Sequence, residues 1–202
     1  MKTSNYILIV LFVFITINLL VLFISARGHE DRLNFIQKEY PLGSINVIVV
    51  EPEASISIRT SDNNSLKVHY LKDEKEPENF YRVSNDTLFV SKGELSNGMN
   101  MHTNVYVSQL SSFVAKNKSN IHVHDFTFNE LEINAEKAYV NFLNSSIEKI
   151  TIQADNSYIS MYLTKGASVF GKLKNESNLR GDSKSISKMD LEKDQNSKIH
   201  FF

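Results

Sequence analysis

Apolar and polar positions follow three successive rhythms along this chain. From Tyr6 to Ile24 the run YILIVLFVFITINLLVLFI is apolar on every side, broken near its middle only by Thr16 and Asn18. Nineteen residues rising 1.5 Å each predict a helix of roughly 28 Å, close to the hydrocarbon thickness of a bilayer. The run exceeds the roughly 7–15 apolar residues of a cleavable signal, so the expectation is a transmembrane helix, an uncleaved signal anchor over residues 6–25 behind a short tail at 1–5. Residues 26–43 form a charged linker. Leu33, Ile36 and Tyr40 lie on one helical face there, as a stalk or a plain tether, and Pro41 and Gly43 end any helix.

At Ser44 the period becomes two. Ile45–Val49, Ile56–Ile58, Leu66–Tyr70, Tyr81–Val83, Leu88–Val90 and Val105–Val107 read as short alternating strands between turn residues, which makes residues 44–202 an all-β domain. The third rhythm lies over residues 110–202. Ile121, Val140, Ile159, Leu179 and Ile199 follow one another at intervals of 19, 19, 20 and 20 residues. Two positions before each stands Ser119, Ala138, Ser157, Ser177 or Ser197, and a polar cluster precedes that. Leu131 and Ile133 recur as Ile150 and Ile152, then as Val169 and Phe170, then as Met189 and Leu191. Nineteen or twenty residues are too few for two packed helices, and the unit alternates with period two. A single-stranded parallel β-helix with about 19–20 residues per coil fits, each coil sharing its core with the next. The small residues suit tight bends. Asn117, Asn156 and Asn175 fall at equivalent bends, with Lys137 interrupting, and suggest a stacked amide ladder.

Composition narrows the classes of function. With 22 basic and 23 acidic residues, net charge −1, the chain lacks the concentrated basic face that nucleic acid requires. It has no cysteine, hence no disulfide framework, thiolate metal site, Cys nucleophile or lipidated Cys. No Gly-x-Ser-x-Gly elbow, Walker loop or Gly-x-Gly-x-x-Gly turn is present. Lys2 before the apolar run, against Arg27, Arg32 and Lys38 after it, would by the positive-inside rule put the C-terminal side in the cytoplasm.

The strands of Ile45–Val90, followed by coils of the form aliphatic-x-aliphatic, polar turn, small residue, aliphatic-x-apolar, resemble the head GIN domain proteins, also labelled auto-transporter adhesins. The resemblance covers about Ser44–Phe202. It implies a right-handed β-helix, export, and a domain on the extracytoplasmic side of the anchor; no catalytic residues or cofactor carry over. The family's Gly-Ser-Gly turns are replaced here by Asn-Lys-Ser-Asn (117–120), Asp-Asn-Ser (155–157) and Asn-Glu-Ser-Asn (175–178), and an apolar segment stands where members often carry a signal peptide or lipid anchor.

Four features carry candidate chemistry. His122 and His124 alternate on one strand with Asp125 next to them, an incomplete metal set or simply solvent-facing neighbours of Ile121 and Val123. Lys116, Glu136, Asp155, Lys174 and Asp194 succeed one another from coil to coil. Glu136 and Asp155 would act as acid and base if the protein were a carbohydrate-active β-helix enzyme, or they belong to a solvated mixed-charge face. Tyr139 and Tyr158 stack as neighbours, to bind a sugar or protein partner or to support the strands. Ile199–Phe202 is an apolar last coil that invites a second copy. The expectation is therefore a single-pass, non-enzymatic interaction module of the cell envelope, meeting an envelope protein or a glycan. The alternative is a self-assembling membrane-associated scaffold of the kind bactofilins build.

Overall fold

The computed structural model describes residues 11–24, 35–72, 75–93, 101–163 and 165–202. The chain divides into two compact units, residues 1–36 with 71–73 and residues 37–70 with 74–202. In the first, residues 11–24 are helical, and the hydroxyl of Thr16 and the amide of Asn18 donate to the carbonyls of Phe12 and Phe14, each at 2.8 Å. No helix among the described residues is long and apolar enough to cross a membrane. That overturns the single-pass membrane placement expected for the chain. The tail at 1–5, positions 6–10 and 25, and linker residues 26–34 lie outside the described residues.

The rest is strand. In chain order they are β1 (Phe35–Pro41), β2 (Val47–Val50), β3 (Ser55–Thr60), β4 (Ser65–Leu71), β5 (Tyr81–Ser84), β6 (Thr87–Val90), β7 (His102–Val107), β8 (Ser112–Lys116), β9 (Asn120–His124), β10 (Thr127–Glu136), β11 (Tyr139–Asp155), β12 (Tyr158–Leu163), β13 (Ala167–Lys174), β14 (Asn178–Gly181), β15 (Ile186–Lys193) and β16 (Lys198–Phe201). Residues 35–41 are thus extended where the sequence pattern allowed a helical stalk. Tyr40 packs its ring against Phe80 and Tyr81 (centroids 5.6 and 5.3 Å), and Lys38 pairs with Glu76.

Strands alternate between two parallel ladders. Sheet A runs β7-β3-β9-β11-β12-β14-β16, using Tyr139–Leu143 of β11; sheet B runs β6-β2-β8-β10-β11-β13-β15, using the later part of β11. The result is an all-β solenoid of about four turns from Ile121 to Ile199. Its register matches the sequence repeat rung for rung: Ile121 opposes Val140, Val140 opposes Ile159, Ile159 opposes Leu179, and Leu179 opposes Ile199. The first four of these are fully buried, as are Ile133, Ile150 and Ile152 of sheet B.

One inward row departs from expectation. Val169 continues the row of Ile150, but Ile152 is opposed by Gly171, not Phe170, and Phe170 pairs outward with Thr151. Adjacent strand residues point to opposite faces, so Val169 and Phe170 cannot both face the core. Gly171 has φ +129°, and a Cβ there would lie 1.8 Å from the Ile152 carbonyl oxygen.

The coils also stack out of chain order. β6 and β7 lie outside β2 and β3, and β8 and β9 lie on their other side. The chain therefore enters the stack at its second layer, turns back through antiparallel β4 and β5, and completes the first layer afterwards.

Left-handed residues and buried serines make the bends. Asn117, Lys137, Asn156 and Asn175 all have positive φ, 27°, 50°, 46° and 52°, a conformation asparagine tolerates better than most residues. The expected amide ladder is not what joins them. Main-chain N–H groups of Asn117, Lys137 and Asn156 donate to the carbonyls of Glu136, Asp155 and Lys174 on the next rung, while Asn175 Nδ2 donates to the Asp155 carboxylate at 2.9 and 3.0 Å. Buried Ser157 accepts from the Ala138 N–H (3.1 Å) and donates to the Asp155 carbonyl (2.8 Å). The opposite bend repeats the device with Ser145 and Ser185, which accept from the N–H groups of Phe126 and Leu163.

Candidate functional site

The outward positions of sheet A form three rows along the solenoid. One holds His102, Ser55, Asn120, Tyr139, Tyr158, Asn178 and Lys198; the next holds Asn104, Ser57, His122, Asn141, Ser160, Arg180 and His200. Tyr106 and Arg59 begin a third, continued by His124, Leu143 and Tyr162. Alternation puts these side chains outside because Ile121, Val123, Val140 and Phe142 fill the core between them.

The histidines and tyrosines predicted for this face meet. Tyr139 and Tyr158 are stacked, with centroids 5.1 Å apart and planes 3° from parallel. Each covers a ring face of the other, His122 leans against Tyr139 at 6.2 Å, and the Arg180 guanidinium sits 5.6 Å from the Tyr158 centroid. The stack therefore presents ring edges and hydroxyls rather than an open aromatic platform, and Tyr139 is 39% exposed. His122 stacks on His124 at 5.9 Å, and His102 lies 6.4 Å from His122 while hydrogen-bonding Ser55 and Ser57 at 3.1 and 2.8 Å. Partial burial pushes all three imidazoles below their ordinary range. For His102 the neighbouring His122, His124 and His69 deepen the shift; for His122 it is His124; for His124 it is Arg59, opposed by Asp125.

Asp125 does not join the imidazoles. It sits at the bend with φ 51° and pairs with Arg59 at 3.2 Å. Among the described residues no group of three or more His, Cys, Asp or Glu side chains is placed to hold a metal ion. His102 and Arg180 escaped the sequence reading. For His102 the reason is the out-of-order stacking, which places β7 two rungs from β9. Arg180 occupies a readable position, one residue after Leu179 in the repeat.

Sheet B is chemically different. Lys116, Glu136, Asp155 and Lys174 stand on successive rungs, as their spacing implies. With Gln153 and Lys172 they line an open groove of about 310 Å³. The like-charged step Glu136–Asp155 is flanked by Lys116 and Lys174, Asp155 is held by Asn175, and Lys172 pairs with Glu192 at 2.8 Å.

No protein-family model matches the chain, and no curated protein matches it. Among solved structures it is similar to a provisionally named adhesin of Bacteroides fragilis NCTC 9343, at 13% identity and TM-score 0.50, over 83% of this chain and 97% of that one. A provisionally named adhesin of Parabacteroides distasonis ATCC 8503 follows, at 10% identity and TM-score 0.43, over 83% and 94%. At such identities the first likeness is one of fold, and the second adds nothing to it.

Proposed function

We propose that this protein is a non-enzymatic, adhesin-like recognition solenoid of the head GIN kind, wound right-handed, whose outer face on sheet A contacts its partner. The observation that carries this reading is the outward column His122–Tyr139–Tyr158–Arg180, half-buried at His122 and Tyr158 and exposed at Tyr139 and Arg180, built on strands and free of carboxylates along its length. Aromatic and arginine side chains held in place lose little freedom on binding. The name borne by the B. fragilis protein of like fold is in keeping with it.

The test is binding of the full chain to arrays of immobilised glycans and surface proteins, comparing Tyr139→Ala/Tyr158→Ala with Glu136→Gln/Asp155→Asn. Loss of binding in the tyrosine variant alone is expected. Undiminished binding by that variant sinks the reading. A second reading, a carbohydrate-active enzyme, rests on the carboxylate neighbours in the sheet B groove, which would serve as acid and base. It fails if Glu136→Gln/Asp155→Asn leaves unchanged every activity found in a polysaccharide screen.

A further inference from the structure

Charge is segregated between the two sides of the solenoid, although the chain as a whole is near neutral. On the seven parallel strands of sheet A the outward positions carry Arg59, Arg180, Lys198 and four histidines, and no Asp or Glu. Beside the face, Asp125 pairs with Arg59 and Glu39 pairs with Lys67. Sheet B carries both signs outward, with Lys116, Lys149, Lys172 and Lys174 among Glu130, Glu132, Glu136, Asp155, Asp190 and Glu192. Apart from Leu143, the remaining outward groups of sheet A are hydroxyls and amides, such as Asn141 and the tyrosine hydroxyls. The face is therefore rich in donors and poor in compensating anions.

We propose that the outer face of sheet A binds an acidic polysaccharide carrying uronate or sulfate groups, laid along the solenoid so that its anionic groups meet Arg180 and the histidines. This rests on the recognition reading above and specifies its ligand. Seven rungs at about 4.8 Å give a straight track of roughly 29 Å, which suits an extended polymer. Nucleic acid fits less well, since phosphate recognition draws on more fixed cations than the three Arg and Lys side chains present. A protein partner would be expected to find an apolar centre, and Leu143 alone supplies one. The guanidinium of Arg180, laid against Tyr158, keeps its N–H groups for a carboxylate or sulfate.

Acidity should strengthen this contact. His102 faces Ser55, Ser57, His69 and His122; His122 faces His102, His124 and Tyr139; His124 faces Arg59 and Asp125. Their protonation adds charges that repel one another in the free protein and that a polyanion would compensate, so binding and protonation are linked.

The full chain is titrated with heparin, polygalacturonate, neutral dextran and oligodeoxythymidine at pH 5.5 and 7.5. Saturable binding of both acidic polysaccharides is expected, at least about fivefold tighter at pH 5.5, with none to dextran. Arg180→Gln should weaken it at least about fivefold at an unchanged unfolding midpoint, Lys174→Gln on sheet B should not, and His122→Gln should flatten the pH response. If dextran binds as well as polygalacturonate and Tyr139→Ala/Tyr158→Ala abolishes both, the acidic ligand is wrong while recognition by this face stands. If the tyrosine variant retains all binding, both readings fall. Oligodeoxythymidine binding as tightly as heparin, or equal losses from Lys174→Gln, reduces the effect to general polyanion attraction and overturns the proposal. So does the absence of polysaccharide binding at either pH.

Discussion

Ser119 and Ser157 stand at equivalent bends and differ in one respect. Ser157 Oγ is saturated, by the Ala138 N–H and the Asp155 carbonyl, whereas Ser119 Oγ is buried without a partner. A buried hydroxyl with no partner costs free energy that a methyl group does not. Ser119→Ala should therefore be neutral or stabilising by up to about 1 kcal/mol, and Ser157→Ala destabilising by about 1–2 kcal/mol, both read from urea unfolding. A loss in Ser119→Ala as large as that in Ser157→Ala would contradict this bend chemistry. Gly171 is the other sensitive residue. Its φ of +129° and its approach to the Ile152 carbonyl leave no room for a Cβ, so Gly171→Ala should cost more than about 2 kcal/mol. An unfolding midpoint within error of the parent would show that the strand can shift.

At the scale of the element, the strands β7 and β9 gather the titrating groups. Because the folded protein holds His102, His122 and His124 below their ordinary range, the unfolded chain binds more protons between the two values. Stability from these groups is thus fully present above about pH 6.5 and is lost as pH falls through the lowered folded values. The melting temperature should drop on acidification from pH 7 to 5, and His122→Gln should drop less; parallel curves for the two proteins would contradict the assignment. The Tyr139–Tyr158 stack should couple by about 0.5–1.5 kcal/mol in a double-mutant cycle, and a coupling indistinguishable from zero would remove its structural role. These elements were legible to different degrees. The 19- and 20-residue spacing specified the rungs of β9, β11, β12, β14 and β16, because a stacked coil forces equal inward positions into register. It could not order β6 and β7 outside β2 and β3, since alternation tells which side chains face inward and nothing about which coil lies next. His102 was hidden for that reason. Phe170 was misplaced because a glycine in an inward position breaks the apolar pattern without breaking the strand.

On the scale of the whole molecule, near-neutral composition concealed two unlike sides. Sheet A offers histidines, tyrosines and arginines, and sheet B offers lysines and carboxylates together around a groove. Summed charge is blind to such segregation. The carboxylate neighbours were readable from spacing, while the donor-rich face emerged only once its rows were laid side by side. That this face is the contact surface is the central claim. Hydroxyl-radical footprinting of the full chain, with and without polygalacturonate at pH 5.5, tests it most directly. Protection should fall on His122, Tyr139 and Tyr162 of sheet A, while Met189 and Phe170 on sheet B keep their reactivity. Protection of Met189 and Phe170 instead, or unchanged reactivity at His122 and Tyr139 with the polymer bound, would contradict it.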